Sequence, residues 1–382
     1  MTVAAWRIPL FDLDYGPEEE DAVLRVIRRG WLTQGPETQA FEEEFAHYLG
    51  VSQVVMTSSG TTALHLAYLV AGLQPGDEVI LPAMTFIATV EPLLWMGVRP
   101  VFADILDPRT PVIGPETVEP LLTPRTRAVV YVSYNGLSHP LPELKALCET
   151  HGLLLIEDAA HATGGRLPTG EPAGSLAHLT AFSFFSNKTL PVGEGGALAT
   201  RDPEHAHRAR QLRSHGMTSL TWDRYQQRAL TYDVVALGFN YRATELAAAL
   251  ARVRLRKLGR EVARRRERVQ QYREHLASLN LPLDPVESPL ETGSHYIFPV
   301  WLHRPEDRGP LMDFLRHRGI QTSIHYPPVH RFQLLREQYG TEDLHLPHTE
   351  EYGRRELTLP LYSRLSPTQV TEVVEALHAF YA

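Results

Sequence analysis

The stretch TAFSFFSNKTLPVGEGGALAT, residues 180–200, determines how the rest of the chain is interpreted. Apolar runs at 181–185 and 197–199 predict two short buried strands. Between the strands lie Lys188 and a glycine-dense turn at 193–196, where glycine permits close backbone approach or a positive φ. Partial desolvation would lower the pKa of the lysine and make it a usable nucleophile for Schiff-base chemistry. Taken alone, the stretch also fits a hairpin turn that carries an exposed lysine.

Length and composition describe an ordinary globular protein. The 382 residues exceed what a single core usually holds, which predicts two lobes or domains. The net charge of −8 does not favour a nucleic-acid or anionic-membrane partner. Cys148 is the only cysteine, so a disulfide framework and a cysteine-based metal cluster are excluded, and we predict no metal site. The N-terminus lacks a secretion signal and no apolar run approaches membrane-spanning length, so we expect a cytoplasmic protein.

Strands alternate with helices through the first 200 residues. Continuous apolar strands separated by helices predict an α/β fold with a mostly parallel sheet covered by helices on both faces. Ligands of such sheets bind at the carboxyl ends of the strands. We therefore expect Ser59, Asp158 and Ser183 at one edge of the sheet. The predicted strands are 53–57, 77–81, 99–103, 127–132 and 153–156, and a helix is predicted over 85–96.

Two segments at that edge carry groups suited to a cofactor. The loop 58–62 joins a strand to a helix, and its free N–H groups at the positive end of the helix dipole suit a phosphate. A serine or threonine helix cap without a ligand is the alternative. Asp158 ends a buried strand, where a carboxylate is costly unless it is paired, and a protonated pyridine nitrogen would pair with it. A carboxylate that caps a neighbouring turn is the alternative. His161 fits either a core histidine or a cofactor contact.

The composition changes near Arg252, where residues 252–268 contain nine basic residues and two glutamates. Such a run can indicate nucleic-acid binding, but at helical spacing with few aromatic residues a solvated helix face is favoured. We place the domain boundary here, giving a large domain at 1–250 and a small C-terminal domain at 251–382. Strands flanked by helices after residue 290 predict that the small domain is also α/β.

Seven segments, in order, resemble the DegT family of nucleotide-sugar aminotransferases, which are enzymes of fold type I that depend on pyridoxal 5′-phosphate (PLP). The resemblance covers nearly the whole chain, from about Gly30 to the C-terminus. Its segments are WLTQGPETQAFEEEFAHYLG (31–50), SSGTTAL (58–64), GDEVILPAMTFIAT (76–89), IEDAAHATGG (156–165), SFFSNKTLPVGEGG (183–196), GFNYRATELAAAL (238–250) and IHYPPVH (324–330).

The resemblance implies a role for each matching residue. Lys188 would form the Schiff base with PLP, and Asp158 would pair with the pyridine nitrogen. Phe86 would stack on the ring. The phosphate would be bound by Gly60, Thr61 and Ser183, with Asn240 reaching in from the neighbouring subunit of a homodimer whose active sites are shared across the interface.

Further positions concern the ring oxygen and the substrate. His161 stands where the family often has glutamine, near the 3′-oxygen of the cofactor. Tyr326, His330 and Arg242 are predicted to contact the substrate. Many relatives have histidine where this chain has Ser133, so the sequence departs from the family in that loop.

The resemblance implies that an amino group moves from an amino acid, expected to be L-glutamate, to a keto sugar, most often one linked to a nucleotide. Two alternatives stay open. A few relatives are sugar dehydratases in which another residue, commonly histidine, replaces the lysine, and Lys188 favours transamination here. The second alternative is a regulatory relative that binds DNA through the basic face at 252–268. The nucleotide, the sugar and the carbon that is aminated are not defined by the sequence.

Overall fold

The computed structural model describes residues 6–382, and its main feature is a seven-stranded sheet. The strands lie in the order β1-β7-β6-β5-β4-β2-β3, and every pair is parallel except the two pairs made by β7. This confirms the predicted α/β fold with a mostly parallel sheet. The strands are β1 (Gln53–Thr57), β2 (Glu78–Pro82), β3 (Arg99–Ala103), β4 (Thr126–Val132), β5 (Leu154–Asp158), β6 (Leu179–Ser183) and β7 (Gly196–Thr200).

The register of the sheet brings the ends of three strands together. Asp158 at the end of β5 pairs with Ala181 of β6, and Ser183 at the end of β6 pairs with Gly196 of β7. Gly196 also pairs with Thr57 at the end of β1. The loop after β1, the carboxylate at the end of β5 and the lysine loop after β6 therefore lie at one edge of the sheet.

Helices cover both faces of this sheet, and apolar side chains fill the space between them. The α-helices of the large sheet region are α1 (Pro17–Arg29), α2 (Pro36–Leu49), α3 (Gly60–Val70), α4 (Glu91–Trp95), α5 (Pro115–Val118), α6 (Leu141–Thr150), α7 (Pro203–Arg213) and α8 (Thr221–Tyr225). The thiol of Cys148 is buried on α6, and burial raises its pKa to about 12, so it is unreactive there.

The helix predicted over 85–96 is wrong in part. Only a 3₁₀ turn at Ile87–Thr89 and the short α4 are helical, and Phe86 is extended with φ −79° and ψ 149°. Pro92 lies in the first turn of α4, where its missing N–H costs nothing, whereas inside a longer helix it would remove a hydrogen bond and clash with the preceding turn. The break places the residues before α4 at the sheet edge.

A second sheet of three antiparallel strands forms near the C-terminus, in the order β10-β9-β8. It packs with α9, α10, α13 and Ile8 around a separate apolar core. The strands are β8 (Leu283–Pro285), β9 (Phe298–Leu302) and β10 (Glu356–Leu359). The helices after α8 in the chain are α9 (Glu245–Leu279), α10 (Arg308–His317), α11 (Gln333–Tyr339), α12 (Pro347–Arg355) and α13 (Pro367–Tyr381). The 35-residue helix α9 runs without interruption across the predicted boundary at 250/251, and the division into two domains stays a prediction. Within residues 6–382, no helix combines the length and apolar character needed to cross a bilayer.

Candidate active site

A cavity of about 340 Å³ opens at the carboxyl edge of the large sheet. This volume suits a small organic ligand. Ser59, Asp158 and Ser183 all line it, so the predicted convergence at one sheet edge is confirmed. The other predicted residues in its wall are Gly60, Thr61, Phe86, His161, Lys188 and Tyr326.

Lys188 lies in the loop between β6 and β7, where its backbone N–H donates to Phe185 O at 2.9 Å. Its side chain is partly accessible and contributes to the cavity wall. Desolvation by the surrounding protein lowers the pKa of Lys188 to about 7, and the negative charge of Asp158 acts in the opposite direction. A large fraction of neutral amine is therefore present near neutral pH. The geometry favours a reactive lysine over a solvated lysine on a hairpin turn.

Asp158 is almost fully buried at the end of β5. Thr89 Oγ1 donates a hydrogen bond to its Oδ2 at 2.8 Å, and the backbone N–H of Ala160 donates to its Oδ1 at 3.1 Å. Burial raises the pKa of Asp158, while these two donors and the charge of Lys188 oppose the rise. Within the described part of the chain, Asp158 forms no ion pair. A bound cationic ring nitrogen would supply the missing partner, so the acid fits the pyridine end of PLP.

The N-terminus of α3 also lines the cavity. Ser59 caps this helix, because its Oγ accepts a hydrogen bond from Thr62 N at 3.2 Å. A Cβ added to Gly60 would lie 2.9 Å from Ser183 Cβ, so only glycine lets the helix approach Ser183 this closely. The first N–H groups of a helix have no partner within the helix, and the helix dipole is positive there. Gly60, Thr61 and Ser183 therefore fit the phosphate of PLP.

His161 and Tyr326 form a hydrogen-bonded wall of the cavity. His161 Nδ1 accepts from the backbone N–H of Asn135 at 3.3 Å, and its Nε2 lies 2.8 Å from the Tyr326 hydroxyl. Burial, with the charges of Lys188 and His325, keeps the pKa of His161 well below its ordinary value. The ring is therefore neutral, with its proton on Nε2 donated to Tyr326. Phe86 lies at the open side, 56% exposed, with its ring 5.6 Å from that of Tyr326.

Three predicted residues do not lie in the wall of this cavity: Asn240, Arg242 and His330. Asn240 is exposed and forms an isolated antiparallel β-bridge with Ser214. Arg242 is half-buried near Arg213. His330 is fully buried in a 3₁₀ turn, and its Nε2 lies 3.3 Å from Glu350 Oε1. The roles predicted for these three residues stay predictions.

The cavity also contains residues that the sequence did not single out. Asn187, Glu194 and His325 lie inside segments that carry the family resemblance, so the sequence contained a signal for them. Thr89 is buried outside the cavity wall and also ends such a segment, and its contact with Asp158 depends on the helix break described above. Tyr296 comes from the C-terminal sheet region and lies outside every recognised segment, so only the tertiary fold reveals it.

Comparison with known proteins gives a consistent set of relatives. A model of the "DegT/DnrJ/EryC1/StrS aminotransferase family" matches residues 14–378. The chain is 36% identical to the spore coat polysaccharide biosynthesis protein SpsC of Bacillus subtilis, covering 95% of this chain and 94% of that protein. It is 37% identical to a dTDP-4-dehydro-2,3,6-trideoxy-D-glucose 4-aminotransferase of Saccharopolyspora spinosa, covering 94% and 93%. The crystal structure of the aminotransferase TlmJ from Streptoalloteichus hindustanus superimposes with a TM-score of 0.89 at 35% identity, covering 98% of both chains.

Proposed function

The chain belongs to the DegT/DnrJ/EryC1/StrS family of PLP-dependent aminotransferases, and we propose that it moves an amino group from L-glutamate to a nucleotide-linked keto sugar. The observation that carries this proposal is the placement of Lys188 and Asp158 in one cavity at the carboxyl edge of the sheet. The Saccharopolyspora spinosa relative, named for a dTDP-linked keto sugar, supports this substrate class.

We assign the residues of the cavity according to their fit to PLP. When bound, PLP supplies an aldehyde that reacts with amines and a ring that withdraws electrons. Lys188 would hold the cofactor covalently, and Asp158 would hold the ring nitrogen in its protonated form. The phosphate would lie against the N-terminus of α3 and Ser183. Phe86 would cover a ring face, and His161 would lie near the 3′-oxygen.

Lys188 has a second proposed task once it is released from the cofactor. It would carry the proton between the cofactor and the carbon of the substrate, which requires the neutral amine for part of the cycle. The lowered pKa, about 7, supports this role, because both protonation states are then populated near neutral pH. Tyr326, which lines the cavity, is our first proposed contact to the sugar substrate, and Arg242 and His330, which lie outside the cavity wall, are the other two.

We also propose that the active form is a homodimer. The segment before Asn240 carries apolar side chains that a monomer would leave in water: Leu230 and Leu237 are 94% and 95% exposed. Tyr232 and Val234 on the same segment are about half exposed. A second copy of the chain would cover this surface, and it would place Asn240 near the phosphate site of its partner.

The alternative of a DNA-binding regulator loses its main support from the contacts of α9. Arg252 forms ion pairs with Glu37 and Glu44, and Arg254 and Lys257 both pair with Glu19. These charges are neutralised within the protein and are not free to bind phosphates of a duplex. The retained Lys188 and the aminotransferase relatives also disfavour a dehydratase.

A two-step reaction tests the proposed function. The purified protein is reconstituted with PLP and mixed with L-glutamate, and we expect release of 2-oxoglutarate and conversion of the bound cofactor to pyridoxamine 5′-phosphate. A panel of dTDP- and UDP-linked keto sugars is then added, and the accepted sugar restores PLP and appears as an amino sugar. Failure to release 2-oxoglutarate from a PLP-loaded protein would refute aminotransfer. If the enzyme accepts only ketones that carry no nucleotide, the proposed substrate class is refuted.

A further inference from the structure

His325 lines the cavity, and one nitrogen of its ring is hydrogen-bonded to a residue outside the cavity wall. It is 6% exposed and lines the same cavity as Lys188. Its Nδ1 lies 2.9 Å from the hydroxyl of Thr358 on β10. Because Thr358 occupies Nδ1, Nε2 is the ring nitrogen available to a molecule bound in the cavity.

Behind Thr358 lies Glu356, a carboxyl group with no exposed surface. The Thr358 hydroxyl forms a hydrogen bond with Glu356 Oε1. Glu356 Oε2 accepts a hydrogen bond from the backbone N–H of His325 at 2.8 Å. The backbone contact fixes the direction of the carboxyl group, since Oε2 acts as an acceptor and any acidic proton is placed on Oε1. A continuous line of hydrogen bonds thus runs from Glu356 through Thr358 to the imidazole.

A hydroxyl has one proton to donate, and this couples the two ends of the line. When Glu356 is ionised, Thr358 donates to it, and the same oxygen must then accept from His325. The imidazole carries its proton on Nδ1, and Nε2 presents a lone pair to the cavity. When Glu356 is protonated, it donates to Thr358, which donates to Nδ1. The imidazole then carries its proton on Nε2, which becomes a donor.

We propose that Glu356, acting through Thr358, is a positioning residue that sets the tautomer of His325 and so decides whether Nε2 donates or accepts a hydrogen bond in the cavity. This proposal rests on the proposed function, because it takes the cavity to be the aminotransfer site. A keto oxygen of a sugar accepts only and needs a donor, whereas an ammonium group such as protonated Lys188 needs an acceptor. The state of Glu356 therefore selects which of these groups His325 can hold.

The surroundings of Glu356 shift its pKa into a pH range in which the folded protein can be studied. Burial raises the pKa of Glu356 to about 8, and the opposing influences are the hydrogen bonds from Thr358 and His325 N and the charge of Arg308 on α10. The other titratable groups that face it are the hydroxyls of Tyr134, Tyr326 and Tyr352.

His325 itself does not become charged over this range. Burial, together with the charge of Lys188, lowers its pKa to about 3. The imidazole is thus neutral on both sides of the Glu356 titration, and the change it undergoes is one of tautomer and not of charge.

The experiment reads the tautomer directly in the PLP-loaded protein. Ring nitrogen resonances of ¹⁵N-histidine-labelled protein are followed from about pH 6 to about pH 10, and the His325 signal is assigned by its loss in His325→Asn. We expect the Nε2–H form below the midpoint and the Nδ1–H form above it. With full coupling, the ratio of the two forms changes about tenfold per pH unit.

Three variants distinguish control of the His325 tautomer through hydrogen bonds from an effect of side-chain packing alone. In Glu356→Gln, the amide oxygen accepts from His325 N and the NH₂ group donates to Thr358, so we expect the Nε2–H form at every pH. In Thr358→Val the pH dependence is lost, and in Thr358→Ser it is retained. Thermal unfolding of each variant shows whether it is folded.

A single tautomer across the range in the wild-type protein, or a Glu356→Gln variant that follows the wild-type curve, would overturn the proposal. The tautomer is read without turnover, so the two proposals fail separately. An enzyme that releases no 2-oxoglutarate yet shows the coupled tautomer refutes only the aminotransferase. The pH profile of the glutamate half-reaction supplies a second readout, in which the break near the Glu356 midpoint disappears in Glu356→Gln.

Discussion

Lys188 Nζ lies 4.2 Å from the centroid of the Tyr296 ring, so the amine of the cavity faces an aromatic surface supplied by the C-terminal part of the chain. The ring favours the ammonium form through a cation–π interaction, while burial favours the neutral amine. Burial is the larger influence, since the pKa of Lys188 falls from 10.5 to about 7. The amine therefore contacts a residue more than a hundred positions away in sequence.

Replacing Tyr296 by leucine removes the aromatic face and keeps the site apolar. A cation–π contact of about 1 kcal/mol corresponds to somewhat less than one pKa unit. We expect Tyr296→Leu to lower the pKa of Lys188 further by about half a unit, measured from the pH dependence of PLP attachment. Tyr296→Phe keeps the ring and should leave that pKa within about 0.3 units of the wild-type value. Equal shifts in the two variants would show that the hydroxyl, and not the ring, is responsible.

The rate at which PLP attaches to the apoprotein should follow the neutral fraction of Lys188. The neutral amine is the nucleophile, so the rate should rise with pH, reach half its maximum near pH 7 and level off above it. Stopped-flow absorbance at several pH values measures this. An ordinary lysine would instead give a rate that still increases near pH 10.

The same shift has a consequence for stability. The folded-state pKa of about 7 lies below the ordinary value of 10.5, so between these two pH values the unfolded chain binds more protons than the folded one. The apoprotein should gain stability from this group as the pH rises through that window, and the contribution should be absent in Lys188→Met. Denaturant unfolding of both proteins at matched pH values isolates it. A wild-type curve parallel to that of the variant would contradict the assigned pKa.

Lys188→Ala should lose the visible absorption of the covalent PLP adduct, and the glutamate half-reaction should slow by about 10²–10⁴-fold. The control is Lys145→Ala, because Lys145 is a helix-surface lysine that pairs with Glu149 at 3.6 Å and lies outside the cavity. That variant should retain both the absorption and the rate. A normal spectrum in Lys188→Ala would move the attachment to another amine and refute the site.

The fold and the site residues contributed by the large sheet could be predicted, because the sequence patterns that indicate them lie in short continuous segments. Apolar strands, glycine-rich turns and the order of segments along the chain place Gly60, Asp158, Ser183 and Lys188 at one sheet edge, where the structure has them. Tyr296 could not be found in this way, because its position depends on how the C-terminal sheet packs against the cavity.

The helix break before α4 shows a second limit of the sequence. A helix is predicted over residues 85–96, but Pro92 is compatible only with the first turn of a helix, so α4 begins just before it. Thr89 lies in the 3₁₀ turn before this break and contacts Asp158. The contact of His325 with Glu356 and Thr358 likewise requires the antiparallel bridge between Ser323 and Thr358, which the sequence pattern does not define.

Thr89 should control Asp158 without touching the substrate. Its hydroxyl donates one of the two hydrogen bonds that hold the carboxylate, and a bond to a charged group contributes about 1.5–3 kcal/mol. Thr89→Val should raise the pKa of Asp158 and slow the glutamate half-reaction about 10–100-fold, whereas Thr89→Ser should restore the rate. Asp158→Asn, which cannot carry the charge, should lose more than Thr89→Val in a single-turnover assay. A Thr89→Val variant with the wild-type rate would show that the Ala160 N–H alone suffices to hold the carboxylate.

The close approach of α3 to Ser183 gives the last prediction. In Gly60→Ala the new Cβ would lie 2.9 Å from Ser183 Cβ, so α3 and Ser183 must move apart and the proposed phosphate site between them is disturbed. We expect the affinity for PLP to fall at least about tenfold, equivalent to about 1.4 kcal/mol, in an absorbance titration. Gly259→Ala is the matched control, since this glycine lies within α9 and a Cβ there meets nothing within 4 Å. It should leave PLP affinity unchanged and stabilise the protein by about 0.5–1 kcal/mol, because alanine is the better helix former. Wild-type PLP affinity in Gly60→Ala would mean that the phosphate does not bind at the N-terminus of α3.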